Sequence, residues 1–428
     1  MQKSVARLFS VSLLATFIFG LVSFPAFGQS KPQRPETPQG EGKRNKRPVP
    51  KTEEELKKEA EEKERQEQEK NATVDPTVEK VESNIVNVDA VVYNKKTGQI
   101  ITGLKKENFA VFEDGVKQNI SNFATPESPI TVTLVVEYSK WTELFGQAQS
   151  GGWEPGTYEV IRPVASFLTR FIKPPNDYAS VVAFDIRPTP ITDFTNDPAK
   201  INATINLLLR NYPAFRENNV FDAIKFALYG GRTDAVVLDH TKESGEWQNY
   251  GGMVDVKAKR RAIILVTSGI DTFSKITFGD TRKLVQEAGV PLYIIGTANM
   301  FYKRYENLLP DVDSPGGIGL PSRLTFLQAA NQLKTFAKES GGQLFEMTFP
   351  SEVNSYVESI NALLRSQYSM AYDIDQPHTP GKKYKIEVKV DVDGDGVYDD
   401  KQYIVQNRSF YIAPGSEKTD GKSGKPQK

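Results

Sequence analysis

Between residues 129 and 366, short apolar segments alternate with amphipathic ones, and this rhythm constrains the chain more than any other feature. Ile130 to Val136, Ala179 to Phe184, Arg261 to Val266, Pro291 to Ile295 and Gln343 to Met347 read as strands with no solvent face. Val160 to Phe171, Ile201 to Leu209, Val220 to Leu228, Thr281 to Ala288, Leu324 to Ser340 and Glu352 to Arg365 carry helical spacing. Strands buried on both sides need helices on both sides, so the pattern predicts a doubly wound, mostly parallel α/β sheet. Gly341-Gly342 supplies the left-handed residues that end a helix.

The flanks have a different period. Residues 85–93 (IVNVDAVVY) alternate apolar and polar, and Glu113-Asp114-Gly115 marks a hairpin between two apolar runs. Tyr368 to Ile374, Tyr384 to Val392 and Gln402 to Ile412 read as three further strands. Neither flank has enough strands to bury two faces. Residues 81–128 and 367–414 are therefore expected to form one small antiparallel β-sandwich, with the α/β domain of 129–366 inserted between them.

Outside this body the chain is polar, apart from its start. Lys3 and Arg7, the apolar stretch Leu8 to Phe24 and the small residues of Ala26-Phe27-Gly28 read as a signal peptide over 1–28. Residues 29–50 read as a Pro-rich basic disordered linker, 51–80 as a charged helical spacer and 415–428 as a disordered tail. Glu53/Lys57, Glu54/Lys58 and Glu59/Lys63 give the spacer its i,i+4 support. The expected location is periplasmic or extracellular, with no membrane span after cleavage. With no cysteine the chain cannot be a lipoprotein, and it has neither disulfides nor thiolate metal sites.

Charge and histidine content narrow the function. Fifty-four basic residues against 54 acidic ones leave no excess to displace counterions, which argues against nucleic-acid binding. His240 and His378 are the only histidines and are expected at the surface, so imidazole catalysis has almost no material.

The order of segments resembles a von Willebrand factor type A domain, of the VWFA-related kind found in acidobacterial exported proteins. The resemblance runs from about Asn84 to Pro414. Its marks are Val88-Asp89-Ala90-Val91-Val92, Asn108-Phe109 with Val111 and Glu113-Asp114-Gly115, Val136-Glu137-Tyr138-Ser139, Val266 to Thr272, Ala337 to Phe345 and Leu364-Arg365-Ser366-Gln367-Tyr368. It implies a magnesium site at the carboxyl ends of the strands, built on Asp-x-Ser-x-Ser, a Thr and a later Asp. Here those positions hold Glu137, Ser139, Trp141, Asn218 (or Asn219) and Ser268, with Asp271 three residues further on. The resemblance therefore implies either a cation site rebuilt with Asp271 or a degenerate adhesion site whose loops still bind partners; the second is the expectation, and magnesium is not expected.

Two further features stand out. Asp391, Asp393, Asp395 and Asp399 occupy positions 1, 3, 5 and 9 of a loop with Gly at 6, the spacing of a calcium loop. The Val397 carbonyl is a further candidate ligand, with Asp400 in reserve; Gln402 replaces the bidentate Glu. A hairpin of Asp-Gly turns is the plainer alternative. Long loops carry Trp153, Trp247, Tyr250, Phe301 and Tyr302, which are candidates for partner contact or for packing within the domain. Together these lead to a non-enzymatic exported protein-binding or adhesion module with an unidentified protein partner. A calcium-stiffened structural or matrix protein of the envelope is the alternative, and a hydrolase comes third.

Overall fold

In a computed structural model of the chain, the described residues run from 85 to 413, except 141–146, 150–151, 155–160, 234–247, 314–320, 375–377 and scattered positions within 162–170 and 211–216. The expected signal peptide, linker, spacer and tail lie outside them. No helix among the described residues is long and apolar enough to cross a membrane.

The flanking strands pair across the whole insertion. One sheet holds β1 (Ile85–Asn94), β2 (Ile100–Ile101), β5 (Ile120–Ala124), β16 (Tyr368–Asp373) and β18 (Tyr403–Asn407). The other holds β3 (Phe109–Glu113), β4 (Val116–Gln118), β17 (Lys383–Val390) and β19 (Phe410–Ile412). β1 runs antiparallel to β16 with Val88 opposite Met370, and β3 antiparallel to β17 with Val111 opposite Val388. Val86, Val88, Ala90 and Val92 face Val111, Ile386, Val388 and Tyr372 in a shared core. The alternation in the sequence becomes the two faces of each strand.

The insertion is a six-stranded sheet in the order β10 (Pro188–Thr195), β9 (Tyr178–Phe184), β6 (Ile130–Glu137), β13 (Arg260–Thr267), β14 (Leu292–Gly296), β15 (Gln343–Glu346). The sheet is mixed: β9 to β15 are parallel neighbours, while β10 returns antiparallel from β9 as an edge strand. Pro188 and Pro190 suit an edge because neither can donate to a further strand. Two hairpins, β7 (Gln147–Gln149) with β8 (Gly152–Glu154) and β11 (Gly230–Thr233) with β12 (Gln248–Gly251), complete the strands.

Helices cover both faces. Ile130, Val132, Leu134 and Val136 of β6 pack with helical residues Ile161, Val164 and Leu168, with α1 (Pro198–Arg210), and with α4 (Ala298–Tyr305) and α6 (Val353–Leu364). Val135 packs the opposite way, against α2 (Val220–Tyr229), α3 (Phe278–Ala288) and α5 (Arg323–Ser340). Polar residues in these strands satisfy one another: Thr133 Oγ1 lies 2.9 Å from Ser180 Oγ, which lies 2.7 Å from Tyr250 Oη. Thr277 and Asp280 cap the start of α3, and Ser322 caps α5. Gly341 ends α5 at φ 86°, and a Cβ on Gly342 would sit 2.0 Å from the Leu292 carbonyl oxygen.

The chain leaves the sandwich after Ala124 and returns to it at Tyr368, and one side chain holds both crossings. Arg260, fully buried at the start of β13, donates from Nη1 to the Pro126 and Ser128 carbonyls at 2.7 Å each, and from Nη2 to the Leu364 carbonyl. Burial pulls its pKa down to about 10. Arg365 Nη2 bonds Asp177 Oδ2 at 2.6 Å, while Asp177 Oδ1 accepts from Ile130 N at 3.0 Å. Arg408 reaches from the sandwich to the Gln286 carbonyl in α3 and the Asn87 carbonyl in β1.

Arg260→Leu leaves three carbonyls without their donor. The expected cost is about 2–5 kcal/mol, read as a lower urea midpoint at unchanged slope. A midpoint equal to wild type would show that the crossings are held by something else.

Candidate functional site

Open α/β sheets present ligand chemistry at the carboxyl ends of their parallel strands. β6 and β13 are neighbours with Val136 opposite Val266, which brings the terminal Glu137 beside Thr267 and Ser268. The Glu137 carboxylate is buried, and the protein's own donors surround it. Oε1 accepts from Ser139 Oγ at 2.8 Å. Oε2 accepts from Thr267 Oγ1 at 2.7 Å, Ser268 N at 2.6 Å and Ser268 Oγ at 2.8 Å. Charge-assisted bonds of this kind are the strong ones.

The other expected positions do not join this cluster. Asp271 is turned to the start of α2, where Oδ1 accepts from Phe221 N at 3.3 Å and Ser274 Oγ at 2.5 Å. Burial raises its pKa against the pull of those bonds. Asn218 is wholly buried, its backbone N–H donating to Thr272 Oγ1 at 2.8 Å, and its side-chain amide has no hydrogen-bond partner. Trp141 lies outside the described residues. Thr267 is the member that sequence reasoning did not single out; its position beside Ser268 at the end of an apolar strand was the available signal.

The Asp-rich loop joins β17 to β18 and curls as its glycines permit, with Gly394 at φ 79° and Gly396 at φ 88°. Gly394 N donates to Asp391 Oδ1 at 2.7 Å and Gly396 N to Asp391 Oδ2 at 2.8 Å. Burial pulls the Asp391 carboxyl up, but those N–H groups outweigh it and hold it below the ordinary range. Asp391, Asp393 and Asp395 each offer a carboxylate oxygen within 4.8 Å of the others. Asp399 instead accepts from Val392 N at 2.8 Å, and Asp400 pairs with Lys389 at 3.4 Å. The Val397 N–H donates to Asp395 Oδ1 at 2.8 Å.

The aromatic loops divide. Tyr250 and Phe301, candidates for partner contact or for packing within the domain, are buried and take the second role. Tyr250 stacks between Phe226 and Phe194, and Phe301 stacks on Phe326, because large rings gain most by leaving water. Tyr302 is partly buried with its ring edge-on to Phe326. Trp153 falls on β8, where the side chain is outside the description, and Trp247 lies outside the described residues.

His378 is a correction. Rather than lying free on the surface, its Nε2 lies 2.8 Å from Glu113 Oε1 and its Nδ1 2.7 Å from Tyr411 Oη. Glu113 Oε2 accepts from Tyr372 at 2.6 Å and from Tyr411 at 3.1 Å. His240 lies outside the described residues.

No family model matches the sequence, and no curated protein matches it. Among solved structures the chain is similar to proximal thread matrix protein 1 from the mussel byssus, at 12% identity and a TM-score of 0.37. That match covers 59% of this chain and 51% of the byssus protein, so the chain spans about half of that protein's length. It is similar to a von Willebrand factor type A protein from Catenulispora acidiphila at 10% identity and a TM-score of 0.35, covering 79% of this chain and 76% of that one. A third is the vWF domain of a type V pilus tip protein from Porphyromonas gingivalis, at 12% identity and a TM-score of 0.34, covering 55% of this chain and 94% of that one.

Burial, reinforced by Glu113, raises the pKa of both Tyr372 and Tyr411. A phenol raised in the folded state stabilises it below the unfolded value of about 10, and that contribution fades as pH climbs toward the folded value. Stability of wild type should therefore fall between roughly pH 10 and 12, less steeply in Tyr372→Phe/Tyr411→Phe. Denaturant midpoints across that range check it; parallel curves would contradict it.

Proposed function

We propose that this chain is a non-enzymatic exported protein-binding module of von Willebrand factor type A character, whose carboxyl edge works without a bound cation. The observation that carries the reading is the Glu137 cluster. The single carboxylate at the adhesion-site position is already consumed by four internal donors. The second carboxylate, Asp271, is committed to α2. Magnesium is held through carboxylate oxygens in octahedral geometry, and the engagement of Glu137 by internal donors with Asp271 turned away supports a reading without it. Exposed apolar surface supports protein contact: Leu308 is 71% exposed, Val312 76%, Leu324 57% and Leu327 53%. Arg323 ties their segments together through the Pro310 and Glu306 carbonyls.

The signal peptide reading of residues 1–28 places the module outside the cytoplasm, periplasmic or extracellular. The Asp391–Asp393–Asp395 loop supports a calcium role that would stiffen the sandwich, since three carboxylates this close repel one another without a cation. That loop is also what favours the alternative of a calcium-stiffened envelope protein.

Three outcomes are expected. Crosslinking and affinity capture in the source cells should retain the same protein partner with and without chelator, and Leu324→Asp/Leu327→Asp should lose it. Release by chelator would overturn the cation-independent reading, and no specific partner at all would overturn the binding reading. In an Asp393→Ala/Asp395→Ala background, calorimetry should stay flat at millimolar magnesium; an isotherm abolished by Glu137→Ala would contradict it. With the loop intact, calcium in the range of about 10⁻⁴–10⁻³ M should raise the unfolding midpoint over that in chelator. A midpoint that ignores calcium would reduce the loop to a turn.

A further inference from the structure

Beside the Glu137 cluster, the carboxyl ends of β6 and β9 and the face of α1 leave a cleft of about 200 Å³. Tyr138, Phe184, Ile191, Leu207 and Leu208 give it apolar walls, and Asp185 supplies the one charge among the described lining residues. Tyr138 is fixed there by a 2.9 Å bond from its hydroxyl to the Leu208 carbonyl. Asp185 immediately follows β9 and is half-buried. Its backbone carbonyl accepts from Asn219 N at 2.9 Å, which fixes the residue against α2. Its carboxylate accepts from Arg187 N at 3.3 Å. The N–H groups of Ile186 and of Asp185 itself and the Arg187 charge also draw on it, and no ion pair reaches it among the described residues. Burial raises the Asp185 carboxyl above the ordinary range.

We propose that this cleft binds the side chain of a lysine presented by the protein partner, with its ammonium on Asp185 and its methylenes on the apolar walls. The chemistry follows from the lining. A carboxylate that is half-desolvated, with no ion pair among the described residues, gains from a cation. Walls of leucine, isoleucine and phenylalanine suit a long aliphatic stem, which lysine buries while keeping its head at a polar group. A single carboxylate offers a point contact, whereas arginine's planar fork is matched by paired acceptors. A carboxylate-bearing ligand is disfavoured, since Asp185 is the one charge among the described lining residues and would repel it. The inference rests on the protein-binding reading above and names what the partner shows to this edge.

The test uses the full folded chain and a small probe, so it does not depend on knowing the partner. Nα-acetyl-lysine N-methylamide is titrated to millimolar concentration while amide resonances of Asp185, Ile191 and Leu207 are followed by NMR. Those resonances should shift and saturate. The norleucine analogue, alike in stem but uncharged, should bind roughly tenfold or more weakly, and Asp185→Asn should weaken the lysine probe by a similar factor. The arginine analogue should also bind more weakly than lysine. Equal binding of lysine and norleucine probes in wild type overturns the proposal even if Asp185→Asn fails to fold, and so does an absence of shifts. If the probe is silent while capture still retains a partner, the pocket falls and the binding module stands. If the probe binds and capture retains nothing, the pocket stands and the module reading falls.

Discussion

Both passages of the chain between sandwich and α/β sheet lie under one guanidinium. Arg260 donates to carbonyls of the outgoing segment at Pro126 and Ser128 and of the returning segment at Leu364. A buried arginine is costly unless its donors are filled, so the two segments must stay where they can fill them. This fixes the level at which β6 starts, because Ile130 follows the first passage directly and pairs with Arg260 across the sheet. Arg365, with Asp177, and Arg408 extend the same device to the flanking helix and to the sandwich. Backbone polarity at the junction is thus met by arginine where neither sheet can reach.

With one end of the sheet anchored in this way, the chemistry at the other end is set by how far each strand runs. β6 ends at Glu137 and β13 at Thr267, one residue beyond a matched pair. Their terminal polar groups therefore meet each other before they meet solvent. Four donors around one carboxylate form a closed cluster, and the nearby cleft has Asp185 as the one charge among its described lining residues. On the proposed reading, recognition by this edge depends on shape and on the Asp185 charge rather than on a bridging cation.

Much of the architecture was legible because two periods do not resemble each other. Alternation in 85–93 gives a two-faced strand, and the unbroken ITVTLVV of β6 gives one covered on both sides. β10 was missed because two prolines disguise an edge strand, and with it the mixed character of the sheet. Arg260 was passed over because an arginine at the tip of an apolar run usually reaches water. The cluster was only partly legible: the resemblance pointed to Glu137, Ser139 and Ser268, but not to the inward turn of all their polar atoms, nor to Thr267. Tyr250 and Phe301 show the limit of loop reading, since an aromatic in a loop looks the same whether it faces a partner or its own core.

The claim on which the functional account turns is that hydrogen bonds of Glu137, and not a divalent cation, hold the carboxyl edge together. Anomalous diffraction from crystals of this chain grown in manganese addresses it directly, because manganese takes the same hard oxygen ligands as magnesium and calcium. The account predicts no anomalous peak among Glu137, Ser139 and Ser268, with the carboxylate still bonded to Thr267 and Ser268, while any peak falls at Asp391, Asp393 and Asp395. A strong peak within coordination distance of Ser139 and Glu137 would contradict it.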